Sequence, residues 1–239
     1  MRNALSSLLS FLLLLATCST APKPPKNEKI WLHRANAVEK ARRFQYDYPG
    51  FEIDLQYDDS LHTFFVKHDT DEPSCTTLDA WCDSLDNVSN MGLWFDFKNL
   101  NRSNRDEALE CLKAIRQRHH LQGKLYVEAS PYYDLKPFHE AGFLVSFYVP
   151  FFNPYRDDSA TCCKHLPTIQ DAIDSGVDAI SGYEFQYLFL KAHFPDQTKL
   201  IWALSSDSAY LKQVIKGIGN DSLVDVLLLP DNAFRFIQQ

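Results

Sequence analysis

Apolar and polar positions follow two different periods along most of this chain. Short, nearly continuous apolar runs predict buried strands at 29–33, 51–55, 93–97, 124–128, 143–149, 177–180, 199–204 and 224–229. Between them, apolar residues recur every three or four positions and predict helices at 37–46, 77–85, 105–118, 135–140, 166–174, 183–192 and 209–217. A further run at 63–67 follows the turn-forming Asp58-Asp59-Ser60 and reads as the return arm of a hairpin off the second strand. Strand-then-helix order, with strands apolar on both faces, implies a parallel sheet covered by helices. Eight such strands point to an α/β fold closed as a single-domain TIM (β/α)8 barrel over 29–239. The length of 239 residues agrees, since such barrels run to about 250 residues.

The first residues obey another plan. Arg2 precedes the apolar run 8–16, and a proline-rich stretch, Ala21-Pro22-Lys23-Pro24-Pro25, follows. A charged start, a short apolar segment and a polar break make 1–20 a secretory signal, with 21–28 as linker. The run is short for a membrane span. Leu15-Ala16-Thr17-Cys18 is similar to a bacterial lipoprotein box, although threonine before the cysteine is unusual. Either Cys18 carries a lipid or cleavage falls near Thr20; both place the protein outside the cytoplasm, as a secreted, periplasmic or outer-surface protein. Export permits disulfides, and Cys75 with Cys82 is the first pairing to expect. Three sequons, at Asn87, Asn101 and Asn220, matter only in a source that glycosylates.

Charge narrows the function. The formal net charge is −7 and no basic block is present, which argues against a nucleic-acid partner. Cysteines show no C-x-x-C spacing, so a zinc ribbon has no support.

In a β/α barrel, chemistry is built at the carboxyl ends of the strands. Here those ends are polar: His33 and Arg34 on the first, Glu52 and Asp54 in the second, His68 and Asp69 on the hairpin arm, Asp96 and Lys98 on the third, and Glu128 on the fourth. Glu52-Ile53-Asp54 puts two carboxylates on one face of a strand, and Asp96-Phe97-Lys98 repeats the spacing with a carboxylate and an ammonium. Glu52, Asp54 and Asp96 converging on the mouth would suit one hard divalent cation, Mg²⁺ or Ca²⁺. His33 and His68 read as an acid–base pair, and Arg34 or Lys98 as a source of positive charge for a phosphate. Read singly, each motif has a plain alternative: a solvated strand face, a packed histidine, a turn. Their recurrence at the ends of consecutive strands favours the functional reading. The histidines at 62, 119, 120, 139, 165 and 193 are assigned to surface or packing.

The series H-R, E-x-D, H-D and D-x-K, carried by His33-Arg34, Glu52-Ile53-Asp54, His68-Asp69 and Asp96-Phe97-Lys98, resembles the glycerophosphodiester phosphodiesterases of the phosphatidylinositol-phospholipase-C-like superfamily. The resemblance implies a TIM barrel, a metal on Glu52, Asp54 and Asp96, catalysis by His33 and His68, and phosphate contacts from Arg34 and Lys98. It extends in outline to Trp202 in the seventh strand. Three features depart from that family's pattern: Ala35-Asn36 where glycine is usual, aspartate as third carboxylate, and cysteines at 75 and 82. These are similar to the sphingomyelinase D and menorin-type branches.

The reading is a metal-dependent phosphodiesterase acting as a monomer on a small glycerophosphodiester or phospholipid headgroup. It would meet a membrane surface through its substrate or a lipid anchor. Glu128 and Trp202 are further substrate contacts, and Tyr148 a pocket wall. The alternative is a catalytically silent barrel that binds a headgroup, glycan or protein, motivated by aromatics at Tyr132-Tyr133 and Phe151-Phe152. A glycosidase using Glu128 with Asp96 or Glu184 leaves both histidines and Lys98 without a role and ranks last. The aperiodic stretch 151–163 reads as a substrate-facing loop.

Overall fold

The computed structural model describes residues 27–69 and 76–233. The expected signal segment, Cys18 and Cys75 lie outside the described residues. Among the described residues nine strands run β1 (Ile30–Leu32), β2 (Gly50–Asp58), β3 (Thr63–Val66), β4 (Gly92–Phe97), β5 (Leu125–Ala129), β6 (Leu144–Tyr148), β7 (Ala179–Tyr183), β8 (Thr198–Trp202) and β9 (Val224–Leu229). All but β3 are parallel, and they close in the order β1-β9-β8-β7-β6-β5-β4-β2, with β2 pairing back onto β1. This is the eight-stranded barrel that the pattern predicts. The ninth strand, β3, is the antiparallel hairpin arm, with Leu55 opposite Val66 and Asp58 opposite Thr63.

The helices of the described residues that cover the barrel are α1 (Val38–Phe44), α2 (Leu78–Asp83), α3 (Arg105–Arg118), α4 (Lys136–Glu140), α5 (Ser159–Cys163), α6 (Leu166–Asp174), α7 (Tyr187–His193) and α8 (Ser208–Gly217). Their starts are written locally. The side chains of Thr77, Asp158 and Asp207 accept backbone N–H groups at the first turns of α2, α5 and α8. The longest, α3, has Asp106 and Glu107 in its first turn and Arg116 and Arg118 in its last, which matches the helix dipole.

The core has two compartments. Outward-facing strand residues such as Leu32, Ile53, Phe95 and Val127 pack against the helices, while Trp31, Trp94, Tyr126, Leu200, Trp202 and Leu228 fill the barrel interior. Trp31 is accommodated because two neighbours have no side chain. A Cβ on Gly50 would meet its indole at 2.4 Å, and one on Gly92 at 2.2 Å.

Three expectations differ from the structure. The predicted helix at 183–192 begins late, because β7 runs on to Tyr183, whose backbone N–H donates to Gln186 Oε1 at 3.0 Å. A 3-10 turn, Glu184–Gln186, then leads into α7. The stretch 151–163 ends in the short α5 rather than staying irregular. Cys82 carries a free thiol, buried under α2, so it does not form the bridge expected with Cys75. Burial pushes that thiol up to about 12, which leaves it inert at neutral pH.

Replacing Gly92 by alanine should lower stability by about 1–3 kcal/mol through overpacking against Trp31. Gly217→Ala, where a Cβ meets nothing within 4 Å, should be neutral or slightly stabilising. Urea unfolding of both variants checks the contrast.

Candidate active site

The register of the barrel brings the polar motifs to one level. Asp54 on β2 lies opposite Asp96 on β4, and Asp96 lies opposite Glu128 on β5. His33 follows the end of β1, His68 follows β3, and Lys98 follows β4. Together with Arg34, Glu52 and Trp202 they line a single cavity of about 140 Å³ at the barrel mouth. Every site residue read from the sequence is therefore in that cavity. Tyr148 joins them as a wall, while Glu184 does not line it.

The carboxylates are held in an unusual state of burial. Glu52, Asp54 and Glu128 are each at most 3 % exposed. Glu52 Oε2 accepts the backbone N–H of Arg34 at 2.7 Å and lies 3.8 Å from His33 Nε2. Asp54 is gripped from several sides. Asn36 donates to Asp54 Oδ2 at 2.7 Å and accepts the Asp54 backbone N–H at 3.0 Å. The Lys98 ammonium lies 2.8 Å from Asp54 Oδ1 and also pairs with Asp96, and Arg34 Nε stands 3.7 Å from Asp54 Oδ2. One ammonium thus bridges two carboxylates on neighbouring strands.

These contacts separate the titration of the group. Burial raises the Asp54 carboxyl, but Lys98 and Asn36 outweigh it and hold the group below its ordinary range. Burial, with Asp54 and Asp96 close by, pushes Glu52 well above the usual carboxylate range. Burial and Asp96 do the same to Glu128. Lys98 is raised: burial opposes its charge, and the attraction of Asp96 and Asp54 prevails. His33 is pushed down to about 3 by burial and by the Arg34 guanidinium, so its ring is neutral at pH 7.

The loop that carries His33 is fixed from outside the cavity. Lys40 Nζ donates to the His33 carbonyl at 2.8 Å, and Trp81 Nε1 donates to the Ala35 carbonyl at 2.9 Å. Between these two anchors Arg34 adopts φ = 49°, the left-handed region that non-glycine residues rarely enter. Its guanidinium stays half-exposed at the mouth. On the other side, His68 Nδ1 meets Asp69 Oδ1 at 2.8 Å, and Gln56 Nε2 holds the His68 carbonyl at 2.9 Å. The Asp69 contact helps to fix the ring.

Glu52, Asp54 and Asp96 each offer a carboxylate oxygen, and those atoms lie within 4.8 Å of one another. An all-oxygen donor set fits a hard divalent cation. The remaining histidines stay outside the cavity. Several have acidic partners away from the barrel mouth: His62 with Glu107 at 3.0 Å, His119 with Asp79 at 2.7 Å and His139 with Asp178 at 3.0 Å.

The sequence reading missed Asn36 as the clamp on Asp54, and Tyr183 and Leu204 as lining residues. Asn36 was visible as a departure in the H-R motif. Tyr183 was hidden by its assignment to a helix.

No protein-family model matches the chain, and no curated protein matches it in sequence. Solved structures do. A glycerophosphodiester phosphodiesterase from Parabacteroides distasonis superposes with a TM-score of 0.60 at 17 % identity, spanning 89 % of this chain and 97 % of that one. The fold is that of the glycerophosphodiester phosphodiesterases. A phosphodiesterase from Oleispira antarctica, solved with its product sn-glycerol-3-phosphate, gives a TM-score of 0.58 at 13 % identity, over 88 % of this chain and 95 % of its own. A glycerophosphodiester phosphodiesterase from Agrobacterium tumefaciens gives 0.58 at 13 %, over 88 % and 99 %. The likeness covers nearly the whole of each glycerophosphodiester phosphodiesterase barrel, so the strand ends that carry the motifs here belong to that shared fold.

Two predictions follow from the charge arrangement. Lys98→Met leaves buried carboxylates without their counter-ion and should cost about 3–5 kcal/mol at pH 7, part of which Asp96→Asn in the same chain restores. Glu128 binds its proton more tightly folded than unfolded, so the stability it supplies is full below its ordinary value of 4.5 and is lost as pH rises toward the folded value. The metal-free protein should lose urea resistance as pH rises above about 4.5, and Glu128→Gln, which cannot ionise, should lose less.

Proposed function

We propose that this protein is a metal-dependent phosphodiesterase that cleaves a glycerophosphodiester or a phospholipid headgroup by histidine acid–base catalysis. The observation that carries the reading is the meeting of His33, His68, Arg34, Lys98 and a three-carboxylate cluster in one cavity at the barrel mouth. The fold of solved glycerophosphodiester phosphodiesterases, one of them holding sn-glycerol-3-phosphate as product, supports it.

Glu52, Asp54 and Asp96 would hold Mg²⁺ or Ca²⁺, which when bound draws electron density from the phosphate and offsets its charge. The chain's own groups supply the rest. The half-exposed Arg34 guanidinium is available to the non-bridging oxygens, with Lys98 beside it. One histidine takes the proton from the attacking hydroxyl as the new P–O bond forms. The other protonates the departing alkoxide as the old P–O bond breaks. Asp69 holds His68 for this task, and the Lys40 contact to the His33 carbonyl positions the first ring. Trp202, backed by Tyr148 at 5.1 Å between ring centroids, gives the cavity an apolar wall. The attacking hydroxyl belongs to water in the glycerophosphodiesterase manner, or to the substrate itself in the sphingomyelinase D manner, which yields a cyclic phosphate. The reading places the enzyme outside the cytoplasm, on the strength of its amino-terminal sequence.

The test assays the mature protein on glycerophosphodiesters, lysophospholipids and sphingomyelin, with EDTA and then with Mg²⁺ or Ca²⁺ restored. Turnover should vanish with the chelator and return with the cation, and His33→Ala or His68→Ala should lower kcat by about 10²-fold or more. Wild-type rates in both variants would falsify the assignment. Metal binding without turnover on any substrate would mean a silent headgroup-binding barrel instead. Product analysis separates an open from a cyclic phosphate.

A further inference from the structure

The polar cavity continues on one side into a second, larger groove. This groove, about 480 Å³, is lined by Tyr183, Glu184, Phe185, Leu204, Asp207 and Tyr210, and it shares Tyr183 and Leu204 with the cavity. It is built by the loops that follow β7 and β8. Phe151, from the loop after β6, extends its surface: its ring packs against Tyr183 at 5.6 Å and Phe185 at 5.9 Å, and it is 65 % exposed. Tyr183 and Phe185 stack at 4.9 Å. Leu204 and Tyr210 are exposed as well. A group of mutually packed aromatics held at a catalytic mouth, facing solvent, carries an uncompensated hydration cost.

The chemistry of the lining narrows the occupant. Among the described residues no lysine, arginine or histidine lines the groove, so it offers no cation to a second phosphate. Its two carboxylates are each engaged by the protein through one oxygen. Glu184 Oε1 accepts the Tyr210 hydroxyl at 3.0 Å, and Asp207 Oδ1 accepts the backbone N–H groups of Ala209 and Tyr210 as the cap of α8. Ser205 Oγ accepts the Asp207 backbone N–H at 3.0 Å, and what remains is mostly aromatic and aliphatic surface, continuous with the place where the phosphate would lie.

We propose that this ledge seats an apolar group on the alcohol released from the phosphodiester. The proposal rests on the phosphodiesterase reading above. The charged glycerophosphate half occupies the polar cavity, and the alcohol leaves along Leu204 toward Phe185 and Tyr210. An alkyl-bearing alcohol is the class of leaving group that such a surface selects, because each methylene that it covers is withdrawn from water.

The test uses sn-glycerol 3-phosphate esters of ethanol, butanol, hexanol and choline, with the divalent cation present. We expect kcat/KM to rise about tenfold from the ethyl to the hexyl ester, carried mainly by KM. Tyr210→Ser and Phe151→Ser should flatten that rise and leave the ethyl ester unchanged. A flat series in the wild type, or a preference for the choline ester over the hexyl, overturns the proposal and gives the ledge to another occupant such as a cation, a sugar or a membrane surface. Calorimetric binding of ethyl and hexyl phosphate judges the ledge without turnover. If no ester is cleaved, the phosphodiesterase reading fails, and tighter binding of hexyl phosphate, lost in Tyr210→Ser, still upholds the apolar ledge. Equal binding of the two phosphates sinks it.

Discussion

Several carboxylates withdrawn from water at one end of a barrel, with one ammonium between two of them, set the conditions for everything else in this molecule. Charges so placed repel, and burial makes each of them costly. The fold answers with Lys98 bridging Asp54 and Asp96, with Asn36 on Asp54, and with a backbone N–H on Glu52. It does not neutralise the whole set. Glu52 and Glu128 are left to hold their protons well above the usual carboxylate range. A folded chain that keeps such a deficit has the electrostatic character of a site for something positive, and the oxygen donors say which kind.

The rest of the barrel is arranged so that this end can be poorly satisfied. Away from the mouth, Trp31 fills the interior over two glycines, and hydrophobic strand faces pack under the helices. Stability is gathered there, and the mouth is free to hold groups that a core would reject. Arg34 in the left-handed region belongs to the same economy of strain, since its neighbours on both sides are pinned by Lys40 and Trp81.

Much of this was legible in the chain. Strands apolar on both faces and spaced by helices specified the parallel barrel, because that pattern has few other ways to bury itself. The E-x-D and D-x-K spacings were legible for a related reason: on a strand, residues two apart share a face. What escaped was set by side chains acting across the fold. Tyr183 was read as helical because nothing local shows that Gln186 caps its N–H and postpones the helix. The expected bridge from Cys82 needs a thiol that faces outward, whereas α2, which the periodicity did predict, carries that thiol on its buried face. The role of Asn36 depends on its distance from Asp54, eighteen residues away, which no periodicity reports.

One feature of the closure bears on how the site and the fold share residues. The ring of strands is joined between β1 and β2 by a single register pair, Leu32 with Phe51, where β2 and β4 share six. Beside that pair, Glu52 accepts the Arg34 N–H through its side chain and the Ala35 N–H through its carbonyl. Glu52 is therefore a clasp as well as a ligand candidate. The residue that offers an oxygen to the mouth is thus also the one that fastens the ring at its thinnest seam, so a change at Glu52 touches the closure of the barrel as much as the site.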